Sequence, residues 1–266
     1  MFEAEVNPSG IDKADLAVCI PSYNEAGSIP YPTQQASEGL IHFFPELLSV
    51  IINCDNDSPD HTKEAFLDTP TKVPKLYIST PPGVKGKGNN LRNLFRKVTD
   101  LGAKAIVLVD ADLKSITPEW IKHLSEPLFR DFSFVAPLYV RHKYDGTITN
   151  GIAYPLTRAL YGRRVRQPIG GEFGFSGDLA RVFLQSQIWD EAVAHFGIDL
   201  WMTTLALNSG ASVCQSFMGR PKIHKPKDPA ASLGSMFREV VGTLFSLTGP
   251  FEANWLAIKY SKPTAI

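Results

Sequence analysis

Short apolar runs recur along the first half of the chain and alternate with amphipathic segments. The runs cover residues 16–20, 49–54, 75–79 and 105–109, and segments with helical character cover residues 31–44, 60–67 and 89–101. An apolar run without polar alternation is typical of a strand that is buried on both faces of a parallel sheet. The repeated strand–helix order therefore predicts an α/β fold with a mostly parallel central sheet, right-handed crossovers and flanking helices.

The second half of the chain has a less regular pattern. We predict strands at 132–140 and 211–218 and helices at 149–161, 200–209 and 233–247, the last of which forms a C-terminal helical segment. The sequence GGEFGFSG at 170–177 is rich in glycine, which weakens regular elements, so we predict an irregular loop there.

The composition is that of an ordinary soluble globular protein. Of the 266 residues, 44% are hydrophobic and 20% are charged, and the formal net charge is +0. Without a basic excess, nucleic-acid binding is not predicted. No apolar run approaches the ~20 residues of a membrane span, and the polar N-terminus does not resemble a signal peptide. Cys19, Cys54 and Cys214 fall in predicted strands, which indicates buried thiols and a cytoplasmic location. The sequence leaves a homodimer open.

Two aspartates stand directly after the apolar run at 105–109. Asp110 and Asp112 are separated by one residue, and ligands bind at the carboxyl ends of strands in open α/β sheets. Carboxylates are ligands for Mg²⁺ or Mn²⁺, which complete their shells with phosphate oxygens and water. The pattern predicts a metal–diphosphate site. An Asp-x-Asp pair alone is a weak signal, and the alternative is a cap of the turn before Pro118.

Three further strand ends carry polar or glycine-rich segments. They read PSYNE at 21–25, DNDSPD at 55–60 and KGKG at 85–88. Because the carboxyl ends of parallel strands share one edge of a sheet, we expect all four segments to lie together and to form a nucleotide-sugar site.

The motifs PSYNE, DNDSPD and DAD resemble those of family 2-like glycosyltransferases of the GT-A fold. The resemblance implies that the first two segments hold the nucleoside and that the DAD motif holds the metal and the diphosphate. The implied donor-binding residues are Pro21, Tyr23, Asn24, Glu25, Asp55, Asp57, Asp110 and Ala111. The second segment reads Asp-Asn-Asp-Ser instead of the commoner Asp-Asp-Gly-Ser, which leaves the base open.

Four further segments resemble those of a narrower group, the retaining mannosylglycerate synthases and glucosyl-3-phosphoglycerate synthases, and this resemblance covers roughly residues 16–226. The matching segments are PPGVKGKGNN, QPIGGEFGFS, FGID and RPKIHKP. The resemblance implies His224 as a metal ligand beside Asp112 and Asp110, and histidine suits Mn²⁺ somewhat better than Mg²⁺. It also implies phosphate contacts from Lys85, Lys87 and the backbone of Gly88. A lone histidine is more often structural, and a lysine loop is often a solvated turn.

The acceptor side is predicted from the same resemblance. Arg141 and Thr149 have the spacing of a pair that holds a carboxylate in mannosylglycerate synthase, and Gly171 lies in the glycine-rich acceptor loop. We therefore expect a small hydroxy-carboxylate such as D-glycerate as the acceptor, because a guanidinium fork matches a carboxylate. Glu172 and Asp199 are the predicted catalytic residues near the sugar.

Other assignments stay open at this point. A 3-phosphoglycerate acceptor is the first, with its phosphate at the basic residues Arg163, Arg164 and Arg166. An inverting transferase with a lipid or polysaccharide acceptor is the second, with Asp199 as its base. By the resemblance, residues 1–230 form a GT-A catalytic domain, with a nucleotide-binding half at about 1–118 and an acceptor-binding half at about 119–230. Residues 231–266 form a C-terminal helical extension.

Overall fold

A single eight-stranded sheet organises the chain. The computed structural model describes residues 3–140, 146–224 and 229–266. The strands are β1 Ala4–Val6, β2 Leu16–Ser22, β3 Ser49–Asp55, β4 Lys75–Ser79, β5 Ala105–Leu108, β6 Phe134–Val140, β7 Phe173–Ser176 and β8 Val213–Pro221. Their order across the sheet is β1-β4-β3-β2-β5-β7-β6-β8.

The central strands are parallel, as the apolar runs predict. Strands β4, β3, β2 and β5 pair in parallel, and β6 pairs in parallel with β8. Among the strands of the described residues, only β1 and β7 run antiparallel to their neighbours. The predicted α/β class with a mostly parallel sheet and flanking helices, the GT-A architecture, is confirmed.

Helices cover both faces of the sheet and extend past its last strand. They are α1 Pro30–Phe43, α2 Thr62–Asp68, α3 Lys87–Asp100, α4 Pro118–Ser125, α5 Tyr154–Tyr161, α6 Gly177–Gln185, α7 Glu191–Ala194, α8 Ile198–Asn208, α9 Pro229–Ser246 and α10 Glu252–Leu256. A 3-10 turn at Glu126–Phe129 follows α4, and a π-helical segment at Thr149–Ala153 precedes α5. Within the described ranges, no helix is both long enough and apolar enough to cross a membrane.

Within the described residues, two large apolar clusters lie one on each face of the sheet, and a smaller third cluster joins Leu200 of α8 to Val240 and Leu244 of α9. Leu91 and Phe95 of α3 pack on one face with Trp201 of α8. Leu40 of α1 and Trp120 of α4 pack on the other. Cys19, Cys54 and Cys214 are free and buried, as the sequence predicts.

The predicted irregular loop at 170–177 is wrong, since it contains β7 and the first residue of α6. Phe173 and Phe175 are fully buried on one face of the sheet, where Phe173 stacks on Phe134 at 5.2 Å between ring centroids. Gly174 lies between them, and a Cβ there would come within 2.1 Å of the Leu124 carbonyl oxygen. The glycine therefore allows α4 to approach the strand closely, and does not interrupt it.

Candidate active site

The ends of several elements meet at one edge of the sheet. Asp110 follows β5, and Glu172 precedes β7, which runs antiparallel to β5 and so begins at the same edge. Lys87 opens α3, Asp199 lies in the first turn of α8, and Lys222 directly follows β8. These five charged residues form a partly to fully buried cluster, which we call the charged cluster.

Asp110 is the centre of the charged cluster. Its Oδ1 accepts a hydrogen bond from Lys87 Nζ at 2.9 Å, and its Oδ2 accepts one from Lys222 Nζ at 2.9 Å. Burial alone raises the pKa of a carboxyl group, but the charges and hydrogen bonds of the two lysines hold the pKa of Asp110 well below its usual range. Asp110 is therefore ionised at neutral pH in this site.

The two lysines connect Asp110 to the other carboxylates. Lys87 Nζ lies 3.2 Å from Asp199 Oδ1. Lys222 Nζ donates to Glu172 Oε1 and to the Gly170 carbonyl, each at 2.9 Å. Burial lowers the pKa of a lysine, but the neighbouring carboxylates raise the pKa values of both lysines above normal. Both ammonium groups therefore stay charged.

Glu172 is fully buried and accepts hydrogen bonds from Tyr139 and Lys222. Burial raises its pKa to about 7, although the charge of Lys222 opposes that shift. The folded protein thus retains the Glu172 proton to a higher pH than the unfolded chain does. Where the unfolded state binds fewer protons, stability falls as the pH rises.

We expect the metal-free protein to lose stability as the pH rises from about 5 to 8, by up to about 3 kcal/mol from this group. The Glu172→Gln variant has no titrating proton at this position. Its loss of stability between about pH 5 and 8 should therefore be smaller by that amount. Denaturant unfolding at several pH values measures the difference. Parallel pH profiles for the two proteins would contradict the prediction.

The cluster and its neighbour Asp112 carry more negative than positive charge. Asp112 is 6% exposed, and together with Asp110, Glu172 and Asp199 it gives four carboxyl groups beside two lysines. Even with Glu172 protonated, three carboxylates exceed two ammonium groups. Such a site repels an anion unless a cation joins it.

A short backbone pairing brings the two remaining metal candidates together. Leu113, next to Asp112, forms an antiparallel bridge with His224. The Lys114 amide donates to the Ile223 carbonyl at 2.7 Å. Within the part of the chain that the structure describes, no three His, Cys, Asp or Glu side chains are close enough to hold a metal ion by themselves. A carboxylate and an imidazole fit a divalent cation whose other ligands are diphosphate oxygens and water.

The segments predicted to hold the nucleoside lie side by side. The Asn24 amide donates to Ser58 Oγ at 2.8 Å. Lys85 Nζ lies 5.0 Å from the centroid of the Tyr23 ring, which is 38% exposed. Asp57 is exposed and has a positive φ of 53°. This edge presents a tyrosine face, an exposed carboxylate and a lysine to solvent.

Other predicted donor residues are buried or form hydrogen bonds with neighbouring residues of the chain. Asp55 is fully buried, and its oxygens accept hydrogen bonds from Ser22, Ser58 and Tyr77. The Glu25 amide donates to Thr62 Oγ1 at 2.9 Å. The residues Pro21 and Ala111 are buried in the strand ends. These contacts fix the path of the backbone around the exposed donor residues.

Close packing positions the lysine loop. A Cβ at Gly88 would come within 1.9 Å of the Val193 carbonyl oxygen, and one at Gly86 within 2.4 Å of the Ala194 carbonyl oxygen. The loop thus lies directly against α7. This contact places Lys87 at the start of α3, while Lys85, two residues earlier, remains exposed.

The acceptor candidates are only partly described. Thr149 is buried and begins the π-helical segment, in which its carbonyl accepts from the Tyr154 amide. Such segments are rare and frequent at functional sites. Arg141 lies outside the described residues. Arg164 Nε donates to Ser261 Oγ of the C-terminal segment, at 3.4 Å.

Gly171 has no side chain, and this leaves room for the charged cluster. Its φ is +84°, and a Cβ there would lie 2.3 Å from Asp110 Oδ2 and 2.7 Å from Lys222 Nζ. We expect Gly171→Ala to displace one of these groups and to lower kcat/KM on the order of 10²-fold, because a misplacement of 1 Å has effects of that size. Kinetics at saturating metal measures the loss. Gly210 has a similar positive φ of +78°, but a Cβ there would meet no atom within 4 Å. As a control, Gly210→Ala should therefore leave activity unchanged.

Two members of the site are not among the residues that the sequence indicates. Lys222 stands two residues before His224 in the segment RPKIHKP, and its position is the only sequence signal for it. Lysines are rarely buried, so its paired burial between two strand ends requires the tertiary structure. Tyr139 in β6 looks like an ordinary strand residue until its contact with Glu172 is seen.

A family model described as Glycosyl transferase family 2 matches residues 17–180. No curated protein matches the chain.

Among solved structures, those of a glucosyl-3-phosphoglycerate synthase from Mycobacterium tuberculosis are similar to this chain. Its complex with Mn²⁺, uridine diphosphate and glucosyl-3-phosphoglycerate has 22% sequence identity and a TM-score of 0.70, and the match covers 89% of this chain and 80% of that chain. Its complex with Mg²⁺ and uridine diphosphate has 22% identity, the same coverage and a TM-score of 0.69. A complex with Mn²⁺, uridine-diphosphate-glucose and phosphoglyceric acid has 23% identity, the same coverage and a TM-score of 0.64. At these identities the likeness establishes a shared fold.

Proposed function

Since the chain belongs to glycosyl transferase family 2 and is a nucleotide-sugar glycosyltransferase, we propose that it is a metal-dependent, retaining enzyme that transfers a hexose to a small hydroxy-carboxylate. The favoured acceptor is D-glycerate. The donor is a nucleoside-diphosphate sugar such as GDP-mannose, UDP-glucose or GDP-glucose. Residues 1–118 contribute most of the donor side and residues 119–230 the acceptor side, with 231–266 as a helical extension.

The observation that carries this proposal is the partly buried pairing of Asp110 with Lys87 and Lys222 at the strand ends. Two partly buried ammonium groups beside a glycine-rich loop are suited to the oxygens of a diphosphate, because charge-assisted hydrogen bonds are stronger where little water has access. The excess of carboxylates supports the metal requirement, since a polyanionic donor enters such a site only with a cation.

Asp112 and His224 would hold that cation, with Asp110 nearby, and the bound metal would neutralise charge that develops on the leaving diphosphate. The presence of Mn²⁺ or Mg²⁺ with uridine diphosphate in the mycobacterial complexes supports this choice of metals. Lys87 and Lys222 would add the remaining positive charge and move from their carboxylate partners toward phosphate oxygens.

In the proposed reaction, the bond between the anomeric carbon and the diphosphate oxygen breaks, and the acceptor hydroxyl oxygen bonds to the same carbon from the same face. The acceptor proton passes to the departing phosphate oxygen. Asp199 and Glu172 then serve to orient sugar hydroxyls and the acceptor. Their pairing with Lys87 and Lys222 fits this role better than nucleophilic attack, because a carboxylate held by an ammonium group is a weaker nucleophile.

The acceptor assignment rests on Arg141, Thr149 and Gly171. A guanidinium fork on a carboxylate with a nearby hydroxyl fits a bare hydroxy-acid. By the resemblance to the glycosylglycerate synthases, we expect phosphate-using relatives to have an arginine at the position of Thr147, and threonine brings no charge to a phosphate dianion. The phosphoglyceric acid in the mycobacterial complexes favours the second candidate, 3-phosphoglycerate.

We predict that D-glycerate is used in preference to 3-phosphoglycerate, by a margin of about 1.5–3 kcal/mol from the missing charged contact. Arg141→Ala should lower kcat/KM for the acceptor and leave slow hydrolysis of the donor nearly intact. The test is a competition assay with both acceptors at equal concentration, with products resolved by mass and their anomeric configuration assigned by NMR. Preferential use of 3-phosphoglycerate would refute the acceptor assignment, and an inverted product would refute the retaining course.

A further inference from the structure

A cavity lies between α5 and residues 257–266, which follow α10 and which we call the C-terminal segment. Its volume is about 430 Å³, which is within the range of small-molecule sites. Its walls include Tyr154, Pro155 and Arg158 on one side and Lys259, Tyr260 and Ser261 on the other. None of these residues belongs to the charged cluster or to the predicted donor site. We refer to this cavity as the basic cleft.

Backbone contacts fix the two walls of the basic cleft against each other. The Lys262 amide donates to the Gly162 carbonyl at 2.8 Å, and the Arg164 amide donates to the Lys262 carbonyl at 3.2 Å. Farther along, the Gln215 amide of β8 donates to the Ala265 carbonyl at 2.8 Å. The C-terminal segment is thereby attached both to the loop after α5 and to the last strand of the sheet, so the cleft is a preformed feature.

Positive charge is concentrated around the basic cleft without compensation. The cations are Arg158, Arg163, Arg164, Arg166, Lys259 and Lys262, and the sequence has no aspartate or glutamate at 146–171 or at 253–266. In the described ranges none of the six takes part in an ion pair. Surface cations of a protein with a net charge of +0 are thus gathered here instead of being interspersed with acids.

Side-chain contacts hold several of these cations close together. Arg158 Nε and Arg164 Nε both donate to Ser261 Oγ, at 3.1 and 3.4 Å. The Arg166 guanidinium lies 4.5 Å from the centroid of the Tyr154 ring. Two guanidinium groups on one hydroxyl repel each other, and an anion between them would relieve that repulsion and accept their remaining N–H donors.

We propose that the basic cleft binds a small, multiply charged anion, of the polyphosphate or phosphorylated-metabolite class, at a site separate from the donor site. The ligand's charged groups contact Arg158, Lys259 and Arg164, and any apolar part lies against Tyr154 and Pro155. This assignment of Arg164 replaces its role in the alternative 3-phosphoglycerate site. The cleft is separate from the proposed metal site and needs no divalent cation, since its own charge is positive throughout.

Calorimetric titration with inorganic triphosphate in the presence of EDTA tests the proposal. The chelator removes divalent cations, so the carboxylate-rich donor site stays repulsive to the probe. We expect one triphosphate per chain, and the double substitution Arg158→Gln with Lys259→Gln should raise Kd about tenfold or more, because two charged contacts are lost. Both side chains are exposed, so folding should be preserved, and thermal unfolding verifies this.

A matched control removes the same charge from another surface. Lys13 and Lys104 are exposed and outside the cleft, and Lys13→Gln with Lys104→Gln should leave Kd nearly unchanged. Absence of binding to the wild-type chain would overturn the proposal. Equal affinities of the wild-type and cleft variants would also overturn it and place the triphosphate elsewhere, and equal weakening by both double variants would show a nonspecific charge effect.

Discussion

Replacing Asp112 with asparagine is expected to lower kcat/KM by about 10²–10³-fold, which corresponds to ~3–4 kcal/mol of transition-state stabilisation. The substitution keeps the size of a buried side chain that is 6% exposed and removes its charge. The proposed site then keeps His224 but loses the anionic ligand, so the cation that neutralises the leaving diphosphate binds more weakly. Initial rates should be measured at saturating donor over a range of Mn²⁺ concentrations. They distinguish a higher Mn²⁺ concentration for half-maximal rate from a lower maximal rate.

His224→Gln supplies the companion measurement. The backbone bridge between Leu113 and His224 does not depend on the imidazole, so the local structure should be retained. We expect a raised metal requirement here too, while Asp12→Asn, an exposed aspartate far along the chain from the motif, should behave as wild type. Unchanged activity of both site variants at limiting metal would show that these residues are structural.

Replacing Lys222 with methionine is expected to lower kcat/KM by a similar factor, about 10²-fold or more. Lys222 Nζ contacts Asp110, Glu172 and the Gly170 carbonyl, all at 2.9 Å. Methionine fills similar space but leaves the charged cluster with one lysine, Lys87. Steady-state kinetics with both substrates measures the effect, and Lys222→Arg, which retains the charge, should keep more activity than Lys222→Met.

Lys222→Met should also lower the free energy of unfolding. Removing one partner of a buried ion pair typically costs ~3–5 kcal/mol. Here the cost should be smaller at pH 6 than at pH 8, because Glu172, whose pKa is raised to about 7, can take up a proton when its ammonium partner is gone. Denaturant unfolding at the two pH values measures this difference. Full activity and wild-type stability for Lys222→Met would show that the observed contacts are dispensable.

The sequence predicts the central part of the fold well, for a physical reason. Strands β2, β3 and β5 are buried on both faces, so their apolar runs are continuous and easily recognised. Strand β7 is not predicted, because Gly174 weakens its local signal while serving the close approach of α4. Local propensity cannot report a contact with another helix, so this strand becomes visible only in the packed structure.

In the candidate site, too, the sequence indicates some residues, while other contacts are seen only in the folded structure. Asp110 and Lys87 are indicated by their positions after a strand and before a helix, where ligands bind in α/β sheets. The pairing of Asp110 with Lys222 joins residues 112 positions apart, and no local pattern encodes it. The raised pKa of Glu172 likewise follows from complete burial, which depends on several elements closing over it.

The most direct test of the central claim is calorimetric titration of the wild-type chain with UDP and with GDP, each in the presence of Mn²⁺ and in the presence of EDTA. The excess of carboxylates over lysines in the site predicts binding of at least one of these nucleotides with Mn²⁺ and at least tenfold weaker binding with EDTA. Absence of binding to either nucleotide with Mn²⁺ present, or equal affinity with and without the metal, would contradict the account of this site as a metal-dependent nucleotide-sugar site.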